Sequence, residues 1–249
     1  MLSLGDFRHS LSDGITLGLA VTLFYLIRPV WLAMPPRIIA IGDIHGCAKA
    51  LRRLIQEIEP APSDLIVPLG DFVDRGPESK EVLDQLLELE SKCQLVPILG
   101  NHELMMLRAL RDLGSLRYWL EIGGMATIDS YGGGMDIPEQ HLEFLQKCCR
   151  YVETDDYIFL HANYDADAPL EMQPDRLLFW EHLVKNVPGP HVSGKTVVVG
   201  HTPQTSGEIL DLGHVICLDT HCVGEGWLTA MELNTRTKWQ VNKDGALRA

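Results

Sequence analysis

The apolar positions change period several times along the chain, and each change marks an element. Arg37 to Gly42 (RIIAIG) is a short β-branched apolar run ending in a Gly-Asp turn, the pattern of a buried strand. Beyond it, Leu51, Leu54, Ile55 and Ile58 recur at helical spacing, which predicts a helix with one apolar face, closed by Pro60. Asp64 to Leu69 (DLIVPL) reads as a second strand, again ending in Gly-Asp. Glu78 to Glu90 reads as a helix with Val82, Leu83, Leu86 and Leu87 on one side and acids on the other. Leu95 to Leu99 (LVPIL) reads as a third strand, ending in Gly-Asn. This βαβαβ order implies a parallel sheet, whose functional loops collect at the carboxyl ends of the strands.

The middle, from Leu104 to Arg150, is mainly helical by pattern, with glycine breaks at Gly123 and Gly132. After it the chain turns β-rich: Tyr157 to Leu160, Thr196 to Val199, Val215 to Leu218 and Trp227 to Leu233 are strand segments. With no internal repeat or linker, residues 35–241 are expected to form one domain, preceded by an extension at 1–34 and followed by a tail at 242–249.

Composition narrows the classes. A hydrophobic fraction of 46% in 249 residues is that of a globular chain with a sizeable core. Lysine and arginine total 21 against 34 acids, so the surface field repels a phosphate backbone and argues against nucleic acid as a partner. Cys47, Cys93, Cys148, Cys149, Cys217 and Cys222 show no CxxC pair and read as reduced, packed thiols.

The segment before Met34 differs from the rest. From Ile15 to Ile27 runs an apolar stretch that Arg28 and Pro29 interrupt, shorter than the roughly 20 residues a spanning helix needs. It reads as an extension upstream of a start at Met34, as a membrane anchor, or as a signal peptide with no good cleavage site. The expected location is the cytoplasm, with membrane association arising only through residues 15–34.

The chemistry lies at the strand ends. The three turns read Gly42-Asp43-Ile44-His45-Gly46, Gly70-Asp71-Phe72-Val73-Asp74-Arg75-Gly76 and Gly100-Asn101-His102-Glu103. Each sets compact metal-competent side chains just past a strand, between glycines that permit tight turns and close backbone approach. His161 follows the run YIFL and His201 stands in Val199-Gly200-His201-Thr202, so five strand ends point oxygen and nitrogen donors at one rim. Carboxylate, amide and imidazole together suit Mn, Fe or Zn rather than Ca, and the lack of cysteine ligands disfavours a structural zinc. Taken singly, His161 and His201 also fit structural histidines, and Asp74 with Arg75 also fits an ion pair that shapes the turn.

GDIHG, GDFVDRG and GNHE, followed by His161 and GHT, resemble the motif series of the phosphoprotein phosphatase branch of the calcineurin-like metallophosphoesterases, from about Arg37 to Leu233. The resemblance implies an α/β fold with a central β-sandwich flanked by helices. It implies a hydrolase with two divalent ions, manganese first and iron or zinc otherwise, in which a hydroxide bridging the ions attacks the phosphate. Asp43, His45 and Asp71 would hold one ion, and Asp71, Asn101, His161 and His201 the other, with Asp71 shared. Arg75 and Asn101 would hold the substrate phosphate, and His102, oriented by Asp74, would serve the leaving group.

Some positions depart from the family pattern. His161-Ala162-Asn163 stands where relatives carry HGG or HAG, and Asp219-Thr220-His221 where bacterial relatives carry DTG. Leu177 to His182 (LLFWEH) is similar to an LLWSD-like stretch, near which Arg176 and His182 are candidates for a second phosphate contact. A SAPNY-type C-terminal motif is missing, so the chain looks closer to the small bacterial enzymes. The expected substrates are therefore phosphoserine and phosphothreonine in proteins or similar small esters, with symmetrical dinucleoside tetraphosphates as the alternative and a catalytically silent metal-bound scaffold as a third reading.

Overall fold

The computed structural model describes residues 37–184 and 186–249. Readings that concern the apolar N-terminal stretch therefore lie outside the described residues. The strands are β1 (Ile38–Ile41), β2 (Leu65–Pro68), β3 (Gln94–Leu95), β4 (Tyr151–Glu153), β5 (Tyr157–Leu160), β6 (Thr196–Val199), β7 (Leu210–Asp211), β8 (Val215–Cys217), β9 (Leu228–Glu232) and β10 (Thr237–Val241). The α-helices are α1 (Ala48–Ile58), α2 (Ser79–Glu90), α3 (Asn101–Ala109), α4 (Leu113–Trp119), α5 (Met125–Ser130), α6 (Glu139–Lys147) and α7 (Asp175–Trp180).

Two five-stranded sheets form, in the orders β10-β9-β1-β2-β3 and β4-β5-β6-β8-β7. In each sheet three parallel strands adjoin one another: β1, β2 and β3 in the first, β5, β6 and β8 in the second. Alternation along the strands explains how the sheets stack. Ile38, Ala40, Leu65, Val67, Phe159, Val198, Ile216 and Met231 point one way and form a single buried cluster drawn from both sheets, the filling of a sandwich. Their neighbours Ile39, Ile41, Ile66, Ile158, Leu160, Val197 and Val199 point the other way and pack with the helices.

The helices follow from the periodic apolar positions. On α1, Ala48, Ala50, Leu51, Leu54 and Ile58 are buried, and the helix stops at Glu59, which takes a left-handed conformation with φ 48°. On α2 the buried side is Val82, Leu83, Leu86 and Leu89, while Leu87 is only partly covered. Residues 104–150 contain α3 to α6 as the pattern implies, although α3 begins three residues earlier, at Asn101, so the Asn-His-Glu motif is its first turn. LVPIL gives a regular ladder only at Gln94–Leu95. Val96 and Ile98 nevertheless donate to the carbonyls of Ile66 and Pro68, at 2.9 and 2.8 Å, which carries the chain alongside β2 to Gly100. Among the described residues no helix is long and apolar enough to cross a membrane.

Candidate dimetal active site

All five polar turns meet at the carboxyl ends of β1, β2, β5 and β6 and the start of α3. His45, Asp71, Asp74, Arg75 and His201 have positive φ, between 43° and 70°, a backbone state that non-glycine residues rarely hold. The energy comes from hydrogen bonds across the turns. Ile44 and His45 N–H both donate to the Asp71 carbonyl, at 3.1 and 2.8 Å, and Gly46 N–H donates to Phe72 O at 2.9 Å. Glu103, fully buried, receives the N–H groups of Asp71, Phe72, Val73 and Gly100 at 2.7–3.2 Å and so binds the second turn to the third.

Asp71 is the hub. Its Oδ2 lies 3.5 Å from His45 Nε2 and 4.0 Å from His102 Nε2, while its Oδ1 lies 3.3 Å from His161 Nε2. Two groups of donors result, His45-Asp71-His102 and Asp71-His161-His201, each with its ligand atoms within 4.8 Å of one another, all buried or nearly so. The tautomers are set from behind. His45 Nδ1 is 2.9 Å from Val73 O and His161 Nδ1 is 2.7 Å from Leu69 O, so each ring donates to a carbonyl and turns Nε2 toward the site. Asn101 Oδ1 is 2.9 Å from His161 Nε2, and His201 Nδ1 is 3.2 Å from the same atom. Asp43 enters differently: its carboxylate accepts the backbone N–H of His201 at 3.0 and 3.1 Å, and it lies outside both groups.

The electrostatics are those of a site built for positive charge. Burial pushes Asp43 well above the usual carboxylate range, and the neighbouring Asp219 and Asp71 push the same way. Burial likewise raises Asp219 to about 6, with Asp71 adding to it. Burial lowers His45 and His201 to about 3, so both rings are neutral and able to ligate. At His161 burial opposes charge, but Asp71 and Asp43 outweigh it and raise the ring to about 10. A proton thus sits where several carboxylates and ring nitrogens converge, and a divalent cation satisfies the same donors without it. Nitrogen and oxygen donors of this number and burial fit borderline divalent ions.

Beside the hub, His102 Nδ1 is 2.7 Å from Asp74 Oδ2, and both residues are fully buried. Its Nε2 is buried with no hydrogen-bond partner. The Asp74 carboxylate also accepts Trp119 Nε1–H at 2.9 and 3.1 Å and Thr127 Oγ1–H at 2.7 Å. Arg75 is exposed and its Nη1 donates to His45 Nε2 at 3.0 Å, so the turn-shaping ion pair with Asp74 does not form. Ring stacking places His182 on His201, with centroids 4.3 Å apart and planes at 18°. Arg176 stands apart from the cluster, exposed and paired with Glu181. Asn163 is otherwise engaged, accepting Tyr164 N–H at 2.8 Å and donating to Asn186 O, beyond α7, at 3.0 Å.

The family model for the calcineurin-like phosphoesterases matches residues 36–228, which span every turn of this site. The chain belongs to that family of hydrolases. Among the relatives of this phosphoesterase, serine/threonine-protein phosphatase 1 of Salmonella typhimurium is 30% identical over 213 residues, covering 81% of this chain and 90% of the relative. The symmetrical bis(5'-nucleosyl)-tetraphosphatase of Janthinobacterium sp. is 27% identical over 271 residues, covering 81% of this chain and 94% of the relative. The fold is shared with the crystal structure of the cold-active protein-tyrosine phosphatase of a psychrophilic Shewanella, at a TM-score of 0.61, 18% identity and coverage of 87% and 80%.

Glu103, Trp119, Thr127 and Asp219 have no role in the sequence reading. Glu103 and Asp219 stand inside motifs that were visible, GNHE and DTH, where a buried acid next to a ligand is itself a signal. Trp119 and Thr127 carry none, because they reach Asp74 from 45 and 53 residues away.

Proposed function

We propose that the chain hydrolyses phosphate monoesters, with phosphoserine and phosphothreonine in proteins as the leading substrates, at a site holding two divalent ions. One observation carries this reading: the two carboxylate oxygens of Asp71 face two separate groups of nitrogen donors, the arrangement a shared ligand requires. His45, Asp71 and Asp43 would hold one ion, and Asp71, Asn101, His161 and His201 the other, with manganese the first choice and iron or zinc the others. Such ions supply Lewis-acid polarisation of the phosphoryl group and a nucleophile at neutral pH.

The remaining steps belong to the side chains. Arg75, exposed at the mouth of the site, offers its guanidinium fork to the equatorial phosphate oxygens and draws the phosphorus toward the hub. The Asn101 amide, in the first turn of α3, adds a second donor. Burial works against charge on His102, but Asp71 and Asp74 outweigh it and raise its pKa, so the ring is protonated more readily than an ordinary histidine. Its Nδ1 is committed to Asp74, and the proton delivered to the departing oxygen therefore leaves from Nε2. All six described cysteines are unpaired thiols, which supports a reducing, cytoplasmic setting.

The symmetrical tetraphosphatase relative supports a second substrate class, dinucleoside tetraphosphates, since the shared residues grip only a phosphoryl group. Turnover of phosphoserine and phosphothreonine peptides beside diadenosine tetraphosphate, with manganese present, tests the choice. Faster kcat/KM on the phosphopeptides is expected, and a large preference for the tetraphosphate would overturn the substrate assignment.

A further inference from the structure

The fully buried Asp74 carboxylate is held by groups that the motif turns do not supply. Trp119, at the end of α4, gives its indole N–H to both carboxylate oxygens, at 2.9 Å to Oδ2 and 3.1 Å to Oδ1. Thr127, on α5, donates its hydroxyl to Oδ1 at 2.7 Å and accepts the Asp74 backbone N–H at 2.9 Å. Ser79, at the start of α2, closes the ring, 3.0 Å from the Thr127 hydroxyl and 3.1 Å from the same N–H. With His102 Nδ1 on Oδ2, this carboxylate has a fixed orientation and a donor on every side.

The bend between α4 and α5 also holds Arg75, the next residue of the turn. Gly123, at φ 135°, presents its carbonyl to the Arg75 N–H at 3.1 Å and lies so close that a side chain there would meet Arg75 Cγ at 2.9 Å. A side chain on Gly124 would collide with the Trp119 indole. The Gly-Gly break in the helical pattern is therefore the place where the kinked α4–α5 segment presses on the Asp74-Arg75 turn. Trp119, Gly124 and Thr127 are buried, while Tyr118 and Met125 face outward, so this kinked segment directs its polar groups inward at one carboxylate.

We propose that Trp119 and Thr127 are positioning residues that act through Asp74 on His102, so that the kinked α4–α5 segment, rather than the motif turns alone, sets the direction of the His102 proton. This rests on the reading of His102 as proton donor to the leaving group. A carboxylate that orients an imidazole does so only while its own two oxygens are fixed. Losing the Thr127 hydroxyl or the indole N–H lets Asp74 rotate, and the His102 ring turns with it.

The test uses Thr127→Val, which keeps shape and removes the donor, Trp119→Phe, which removes the indole N–H together with part of the ring, and Thr127→Ser, which keeps the donor. Each is assayed with manganese on a phosphoserine peptide and on p-nitrophenyl phosphate, alone and combined with His102→Asn. Proton donation supplies about 10²–10⁴ in rate, and misdirecting it should forfeit about tenfold or more of kcat on the serine ester, with little change on the aryl ester. Thr127→Ser should recover most of the loss that Thr127→Val causes. In the His102→Asn background the further loss from Thr127→Val should vanish, since a residue that acts through His102 has nothing left to act on. Equal losses on the two esters, or losses that persist beside His102→Asn, would assign both side chains to packing alone. Should Trp119→Phe not fold, the Thr127 pair decides the matter by itself. Failure of the proton-donor reading is separate, because it appears as equal losses on the two esters in His102→Asn alone.

Discussion

At the scale of single residues, His102 and Glu103 stand side by side in α3 and do different work. His102→Asn is expected to damage hydrolysis of a serine phosphate severely, by part or all of the ~10²–10⁴ that general acid catalysis supplies, and to spare p-nitrophenyl phosphate, whose leaving group needs no proton. The loss should fall on kcat, as for an interaction made in the transition state. Steady-state kinetics on the two esters checks this, and equal losses would point to binding or metal organisation instead. Glu103 receives four backbone N–H groups from two turns. Glu103→Ala leaves those buried donors unpaired, each costing about 1–3 kcal/mol, so this variant should melt well below the parent or fail to fold. A melting temperature within a few degrees of the parent would mean the turns hold themselves. The sequence displays both residues in GNHE, yet only the histidine looks chemical there, because a carboxylate bound to backbone amides leaves no pattern of its own.

Elements with long apolar periods were readable, and those without were not. β1, β2, β5, β6 and β9 coincide with apolar runs because both of their faces are buried. β10 is an edge strand whose first half is exposed, β7 has two residues and β4 three, and none presents enough apolar surface to announce itself. The strand-end turns were legible as motifs, whereas the clamp on Asp74 was not, since it joins α4 and α5 to a loop far back in the chain. One interaction at the element scale has a measurable pH signature. Arg37, just before β1, places Nε 3.0 Å from Asp64 Oδ1 just before β2, and its Nη atoms also reach the Ile58 and Glu59 carbonyls at the end of α1. Burial works to raise the Asp64 pKa, but the Arg37 guanidinium and the Ala61 N–H outweigh it and hold it below the usual value of 3.8. A carboxyl with a depressed folded pKa stabilises the fold above its unfolded pKa, and that stability is lost as pH falls through the folded value. Thermal melts between pH 6 and pH 2.5 should therefore show Asp64→Asn destabilised at pH 6, with its deficit shrinking below about pH 4. A deficit that stays constant across that range would remove the ion pair as its cause.

For the whole molecule, the two sheets meet so that one rim gathers the buried Asp43, Asp71, Asp219, His45 and His161 with the half-buried His201, and this concentration of carboxylates is costly when nothing positive lies among them. Ion binding and folding stability should therefore be linked, since a ligand that binds only the folded chain stabilises it by about 2.7 kcal/mol at a hundredfold excess over its Kd. Protein prepared without chelator is expected to contain more than one equivalent of transition metal. Chelation should lower the melting temperature, and added manganese should restore it, by an amount that grows with its concentration. Asp71→Asn supplies the decisive comparison, because the hub faces both donor groups and its loss should weaken both ions together. Elemental analysis and calorimetric melts of parent and variant, side by side, read this out. If Asp71→Asn removed one equivalent and left the other bound at undiminished affinity, the carboxylate would belong to a single ion. If chelation left the melting temperature unchanged, the crowding of buried carboxylates would have to be relieved by protons alone, as the raised pKa values of Asp43 and Asp219 allow, and the stabilising role of metal would fall.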